Sequence, residues 1–225
     1  MPSFAGGDGD ASTDLAARRL RMVDEQLRRR GIRDQRLMQA MEKVPRENFV
    51  APEFLGQAYA DAPLPIGVGQ TISQPYMVAT MVEALELAPS DRVLEVGAGT
   101  GYEAAILAEL AAEVWTIERH AELAEWARQI LSSMGYSNVH VVLGDGSVGL
   151  AEKAPFDKIL VAAGAPRVPQ ALTEQLTLGG RLVLPVGTRT EQLLQIVTKT
   201  ETGPVISGRV MCSFVPLVGE QGWKL

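Results

Sequence analysis

Nine residues, Val93-Leu94-Glu95-Val96-Gly97-Ala98-Gly99-Thr100-Gly101, constrain this chain more than any others. A short apolar run of β type carries one acid, Glu95. It then breaks into glycines at alternate positions, and Tyr102–Ala108 follows with helical character. Strand, glycine turn and helix in that order bring bare backbone, and the free amides of a helix N-terminus, close to a nucleoside. The dinucleotide fingerprint is G-x-G-x-x-G, whose glycines admit a pyrophosphate. Here the spacing is the shorter G-x-G-x-G, with Glu95 two residues ahead of Gly97. A carboxylate there is unhelpful beside a pyrophosphate and tolerable beside a cation.

The rhythm around this turn sets the fold. Strands are expected at Arg92–Val96, Val114–Ile117, Val139–Leu143, Lys158–Ala162 and Arg181–Val186, with helices at Tyr102–Leu110, Ala121–Met134 and Pro169–Leu176. Such alternation predicts a parallel sheet covered on both faces. Gln192–Thr200 and Val205–Val215 are separated by Glu201-Thr202-Gly203-Pro204 alone, too short for a helical crossover, and predict an antiparallel hairpin at the sheet edge.

Upstream, Ala16, Leu20, Val23 and Leu27 recur at helical spacing until Gly31. Asp34 is placed to cap a second helix with Leu37, Met38, Met41 and Val44 on its buried face, stopped by Pro45. A loop-like region with Pro52, Pro63, Pro65, Gly67 and Gly69 leads to Ser73-Gln74-Pro75 and a third helix, Tyr76 to about Leu87. Residues 1–13, rich in Gly and Asp, read as a disordered tail, and 14–225 as one domain. Within that domain 14–88 form a helical extension and 89–225 the cofactor-binding sheet.

With 46% hydrophobic and 21% charged residues the chain is of ordinary globular composition, and its formal charge of −6 gives no general attraction to nucleic acid or anionic membrane. The arginines between Arg18 and Arg36 are interleaved with Asp24, Glu25 and Asp34, as on a solvated helix face. A lone cysteine, Cys212, forms no internal disulfide and fits a reducing cytoplasm. His120 and His140 lack metal-ligand spacing, so no metal is expected.

Two more acids stand at strand ends, where parallel sheets hold ligands. Glu118 ends the second strand and is suited to accept from ribose hydroxyls; Asp145, in Gly144-Asp145-Gly146, is suited to accept from an adenine amino group. Strand-end carboxylates also commonly just face solvent. Three at successive strands suit S-adenosyl-L-methionine, which bears a sulfonium and an ammonium and no phosphate. NAD is the rival, disfavoured by the glycine spacing and Glu95.

The whole pattern resembles the class I S-adenosylmethionine-dependent methyltransferases, whose fold is Rossmann-like α/β: a seven-stranded, mostly parallel sheet with an antiparallel C-terminal hairpin. The resemblance implies Glu95, Gly97, Gly99, Gly101, Glu118, Asp145 and Gly146 as cofactor-binding residues.

Leu64-Pro65-Ile66-Gly67-Val68-Gly69-Gln70-Thr71-Ile72-Ser73-Gln74-Pro75-Tyr76-Met77 narrows the resemblance to the protein-L-isoaspartate O-methyltransferases. Val44-Pro45-Arg46-Glu47-Asn48-Phe49-Val50, Ala162-Ala163-Gly164-Ala165-Pro166 and Phe214-Val215-Pro216-Leu217 support it. It covers about residues 14 to 220 and implies methyl esterification of isoaspartyl residues in damaged proteins and peptides, as a monomer, with S-adenosyl-L-homocysteine as product.

The family's catalytic serine falls at Ser73, and Thr71, Ile72 and Val215 are implied as substrate neighbours. On spacing alone Ser73 is equally an N-cap of the helix that follows. An acceptor carboxyl of α-carboxyl type, pKa roughly 3.5, is already ionised at neutral pH and needs no general base. Another carboxylate acceptor and a non-catalytic binding module are the alternatives.

Overall fold

The computed structural model describes residues 8–224. The chain opens with α1 (Asp8–Met22) and α2 (Gln35–Lys43), a small hairpin of β1 (Leu64–Gly67) and β2 (Gln70–Ile72), and α3 (Pro75–Leu85). There follow β3 (Arg92–Val96), α4 (Tyr102–Leu110), β4 (Glu113–Glu118), α5 (Ala121–Ser133) and β5 (Val139–Leu143). The chain then runs through β6 (Phe156–Val161), α6 (Gln170–Glu174), β7 (Leu176–Gly187), β8 (Gln192–Thr200) and β9 (Gly203–Cys212).

Seven strands make one sheet in the order β5-β4-β3-β6-β7-β8-β9. The strands from β5 to β7 are parallel, while β8 runs antiparallel between β7 and β9. From β3 the chain builds outward through β4 and β5, then crosses to β6 on β3's other side. The order in which strands are added therefore reverses between the parallel neighbours β3 and β6, and the crevice beyond their carboxyl ends is where such sheets bind ligands.

Side chains alternate faces along β3. Val93 packs with α2, α3 and α4 on one face, whereas Leu94 and Val96 pack with Ile117, Ile159 and Leu172 on the other. Glu95 shares Val93's face and so points toward α4. Most of that helix is apolar and interior, with Ala104, Ala105, Ile106 and Leu107 on successive faces all buried, while Glu109 near its end pairs with Lys43.

Asp34 caps α2 as its position predicts, accepting from the amides of Arg36 (2.8 Å) and Leu37 (3.2 Å). The arginine-rich stretch is spent on local partners. Arg28 and Arg29 pair with Asp24, Arg30 with Asp61, and Arg36 donates to the Leu87 and Leu110 carbonyls. Among the described residues no helix is long and apolar enough to cross a membrane.

Several boundaries differ from the sequence-based expectation. Helical backbone begins at Asp8, within the stretch expected as a tail; the rest of that stretch, 1–7, lies outside the described residues. Part of the loop-like region is the β1–β2 hairpin, whose turn takes Gly67, Val68 and Gly69 through positive φ. α6 stops at Glu174 and Leu176 already pairs in β7. β9 ends at Cys212, so Val215 lies beyond the strand, where Gly164 donates to its carbonyl at 2.8 Å and Pro216 bridges Gly164.

Candidate active site

The glycine turn sits at the carboxyl end of β3. Gly97, Gly99 and Gly101 all have positive φ, 98°, 54° and 95°. At Gly99 a Cβ would also press on Ile66 Cδ1 at 3.1 Å, so glycine lets the β1 strand close over the turn. Glu118, at the end of β4, accepts from the amides of Gly99 (3.0 Å) and His120 (2.9 Å), binding the turn to the next strand.

A cleft partly open to solvent, enclosing about 810 Å³ of space with that open solvent counted in, lies over this turn. The hairpin and Ser73 wall one side, Glu118 to His120 another, and Val215 to Val218 close it from the C-terminal segment.

Ser73 lies on this wall, half-buried. The N-cap position of α3 is Gln74, which makes no side-chain cap, so the Ser73 hydroxyl is left free of that role. The Ser73 carbonyl accepts from Arg46 Nη2 at 2.8 Å, and Arg46 Nε donates to the Ala58 carbonyl at 2.8 Å. Arg46 is fully buried with its guanidinium 4.8 Å from the Tyr102 ring centroid, and burial lowers its pKa. Tyr102 opens α4, so one cation touches both the Ser73 loop and the helix that follows the glycines.

Two acids are buried beneath the turn. Glu95 is 0% exposed; its Oε2 accepts from the Thr116 hydroxyl on β4, and its Oε1 has no partner among the described residues. Burial pushes its pKa up to about 8, partly opposed by Thr116 and reinforced by the charge of Glu118. Glu103, in the first turn of α4, is 7% exposed with Oε1 likewise unpartnered, and it lines the cavity. Burial first, then the charge of Glu95, holds its pKa well above the carboxylate range. An acidic floor with unsatisfied oxygens fits a cationic, phosphate-free nucleoside and opposes a pyrophosphate.

A family model for protein-L-isoaspartate(D-aspartate) O-methyltransferase matches residues 18–222. The chain belongs to this family. Among its relatives, the protein-L-isoaspartate O-methyltransferase of Koribacter versatilis (strain Ellin345) is 56% identical over 218 residues, covering 94% of this chain and 96% of the relative. That of Geobacter metallireducens is 54% identical over 206 residues, covering 91% and 95%. A solved protein-L-isoaspartate O-methyltransferase superposes with a TM-score of 0.82 at 27% identity, over 92% of this chain and 67% of its own. A Plasmodium falciparum structure described as a putative member, in complex with S-adenosyl-L-homocysteine, has a TM-score of 0.76 at 24% identity, over 89% and 98%, and shares the fold.

In this isoaspartate methyltransferase family member, the structure gathers Ser73, Thr71, Ile72, Val215, Gly97, Gly99, Glu118 and Gly146 around one cavity. Three expected residues stand behind its wall. Glu95 is buried beneath it. Gly101 packs against α5, where a Cβ would meet Leu131 at 3.1 Å.

Asp145 accepts from the amides of Ser147 (2.9 Å) and Glu220 (2.8 Å), which anchors the C-terminal segment. Burial pushes the Asp145 carboxyl upward. The Glu220 amide, the Ser147 donors and Arg119 together outweigh that and hold its pKa low.

Arg46, Tyr102, Glu103 and His120 were not singled out as site residues. Arg46 was visible only within the Val44–Val50 match. Glu103 stands in the sequence only as one residue of the expected helix Tyr102–Leu110. The signal that could have found it is its place in the first turn of α4 beside the run Ala104-Ala105-Ile106-Leu107, which marks that end of the helix as interior.

Proposed function

We propose that this chain transfers the methyl group of S-adenosyl-L-methionine to the free carboxylate of L-isoaspartyl residues in damaged proteins and peptides, beginning their repair. Family membership and relatives above 50% identity over more than nine-tenths of the chain support the activity. The observation that carries it is Ser73, whose hydroxyl leaves α3 uncapped and stands on the same cavity wall system as the glycine turn.

S-adenosyl-L-methionine supplies an electrophilic methyl group on a sulfonium. Gly97 and Gly99 let the backbone approach it, Glu118 accepts from the ribose, and Gly146 leaves room beside Val96. Glu95, Gly101 and Asp145 act behind the wall, by charge, by packing and by anchoring Val215 to Val218. The Ser73 hydroxyl donates to one oxygen of the isoaspartyl carboxylate and sets the other in line with the methyl group. Position is what the reaction needs, since the acceptor is already an anion. A neutral hydroxyl orients the acceptor without neutralising it, as a lysine would. Thr71, Ile72 and Val215 hold the peptide main chain, which suits an enzyme that accepts many flanking sequences.

The net charge of −6 supports action without nucleic acid or anionic membrane, and a cytoplasmic monomer completes the proposal. In it, 14–88 form the substrate side and 89–225 the cofactor side of one domain.

The test is a matched peptide pair, isoaspartyl and aspartyl, offered with methyl-labelled S-adenosyl-L-methionine. Label should enter the isoaspartyl peptide alone; equal labelling of both, or of neither, rejects the proposal. Thermal protection by NAD and not by S-adenosyl-L-methionine would reject the cofactor as well.

A further inference from the structure

Ser73 stands on the stretch that joins β2 to α3, and β2 pairs with β1 alone, so no ladder of the seven-stranded sheet runs through it. Two side chains hold that stretch instead, one buried and one near the surface. Arg46 donates to the Ser73 carbonyl. Gln74 occupies the N-cap position of α3 but caps nothing, and its amide goes to Asp61. It donates to Asp61 Oδ1 at 2.7 Å and to the Asp61 carbonyl at 3.2 Å.

The other carboxylate oxygen of Asp61 is also engaged. Oδ2 accepts from Arg30 Nη1 at 2.7 Å, and the Arg30 guanidinium lies 3.6 Å from the ring centroid of Tyr76, in the first turn of α3. The contacts close on themselves: Gln74 to Asp61, Asp61 to Arg30, Arg30 to Tyr76, which is two residues along the chain from Gln74. The residues just before Asp61 are tied down as well. The Ala58 carbonyl accepts from Arg46 and the Tyr59 carbonyl from Gln26, each at 2.8 Å. A lone exposed ion pair contributes little. Here the guanidinium is shared between a carboxylate and an aromatic face, and the carboxylate between a guanidinium and an amide, so each contact orients the next.

We propose that Asp61 is a positioning residue. Acting through Gln74, it sets how the chain enters α3 and thereby where the Ser73 hydroxyl points, while Arg30 and Tyr76 brace it. This rests on the reading of Ser73 above and adds the device that aims its hydroxyl at the acceptor carboxylate. Asp61, Gln74 and Arg30 are all absent from the cavity wall, so the device acts on the Ser73 loop without touching the methyl donor.

The test is turnover of an isoaspartyl peptide by the full chain and by Asp61→Ala, Gln74→Ala and the double variant, with cofactor Kd measured by calorimetry on each. Each single variant should lower kcat about 10-fold, less than the loss of the hydroxyl itself, with cofactor Kd unchanged. The double variant should be no slower than Gln74→Ala alone, since both substitutions break the same link. Asp61→Asn keeps an acceptor for Gln74 and loses the charge that pairs with Arg30, so it should recover part of the rate. Denaturant midpoints should stay close to wild type, because these side chains lie near the surface.

An unchanged kcat in either single variant overturns the positioning role and leaves the methyl-transfer reading intact. So do losses that multiply in the double variant, or a cofactor Kd that rises in step with the loss of rate. A wild type that turns over no isoaspartyl peptide overturns both.

Discussion

Arg46 Nη2 donates to the backbone carbonyl of Ser73 at 2.8 Å. The same guanidinium holds Ala58 through Nε and lies over Tyr102, so the substrate loop is fastened to the cofactor helix by one buried side chain. Arg46→Ala strands two carbonyls without donors and should cost about 3 kcal/mol of stability. Arg46→Lys keeps the charge but loses the fork that reaches both carbonyls. It should fold, bind cofactor near normally and turn over slowly. Denaturant unfolding together with separate kcat and cofactor Kd measurements checks both variants.

Ser73→Ala separates catalysis from capping. Because Gln74 occupies the N-cap position, stability should change by less than about 0.5 kcal/mol. Turnover on an isoaspartyl peptide should fall about 10²-fold, the usual scale for losing one positioned donor. Cofactor Kd should stay unchanged. A large loss of stability would return Ser73 to a structural role.

Gly101→Ala tests packing behind the site. Its φ of 95° is strained for any L side chain, and the added methyl would press on Leu131 at 3.1 Å and Ala127 at 3.3 Å. A loss of about 1–3 kcal/mol is expected. Gly101 is absent from the cavity wall, so cofactor Kd of the folded fraction, measured well below Tm, should be retained.

Asp145 carries a pH signature. Its pKa is lowered in the fold, so its stabilisation is present above the ordinary carboxylate value of about 3.9 and disappears as pH falls through the folded value. Asp145→Asn turns one acceptor of the Ser147 and Glu220 amides into a donor. The variant should be less stable than wild type near neutrality, and the gap should narrow as pH falls below about 4. Urea midpoints measured across that range decide it.

The sheet was legible because its signals are local. Apolar runs with intervening helical periods locate every strand from β3 to β8, and the four residues between β8 and β9 leave only an antiparallel connection. Boundaries slipped where tertiary pairing overrides local preference. Leu176 joins β7 because Phe156 lies opposite it, and β9 ends early because Gly164 draws Val215 into a bridge with its own loop.

Site residues with a backbone signature, such as Gly97 and Gly99, were readable one by one. Arg46 and Glu103 were not, because their importance arises from burial, and burial depends on which helices pack around them. Ser73 was readable only through the resemblance, since its spacing before Pro75 equally describes a cap.

The C-terminal segment has a consequence for folding order. Leu217 and Trp223 both donate to the Gly164 carbonyl, and the Glu220 amide donates to Asp145, so the wall from Val215 to Val218 is held by contacts far away in sequence. Arg46, the glycine turn and this wall must all be in place before the cavity exists. Pairings of such high contact order form slowly and late. A half-folded chain with a finished β3–α4 unit still has no chamber in which to place a methyl donor beside a carboxylate. The enzyme is thus silent until its own folding is complete, and the donor stabilises the finished protein without guiding the early steps toward it.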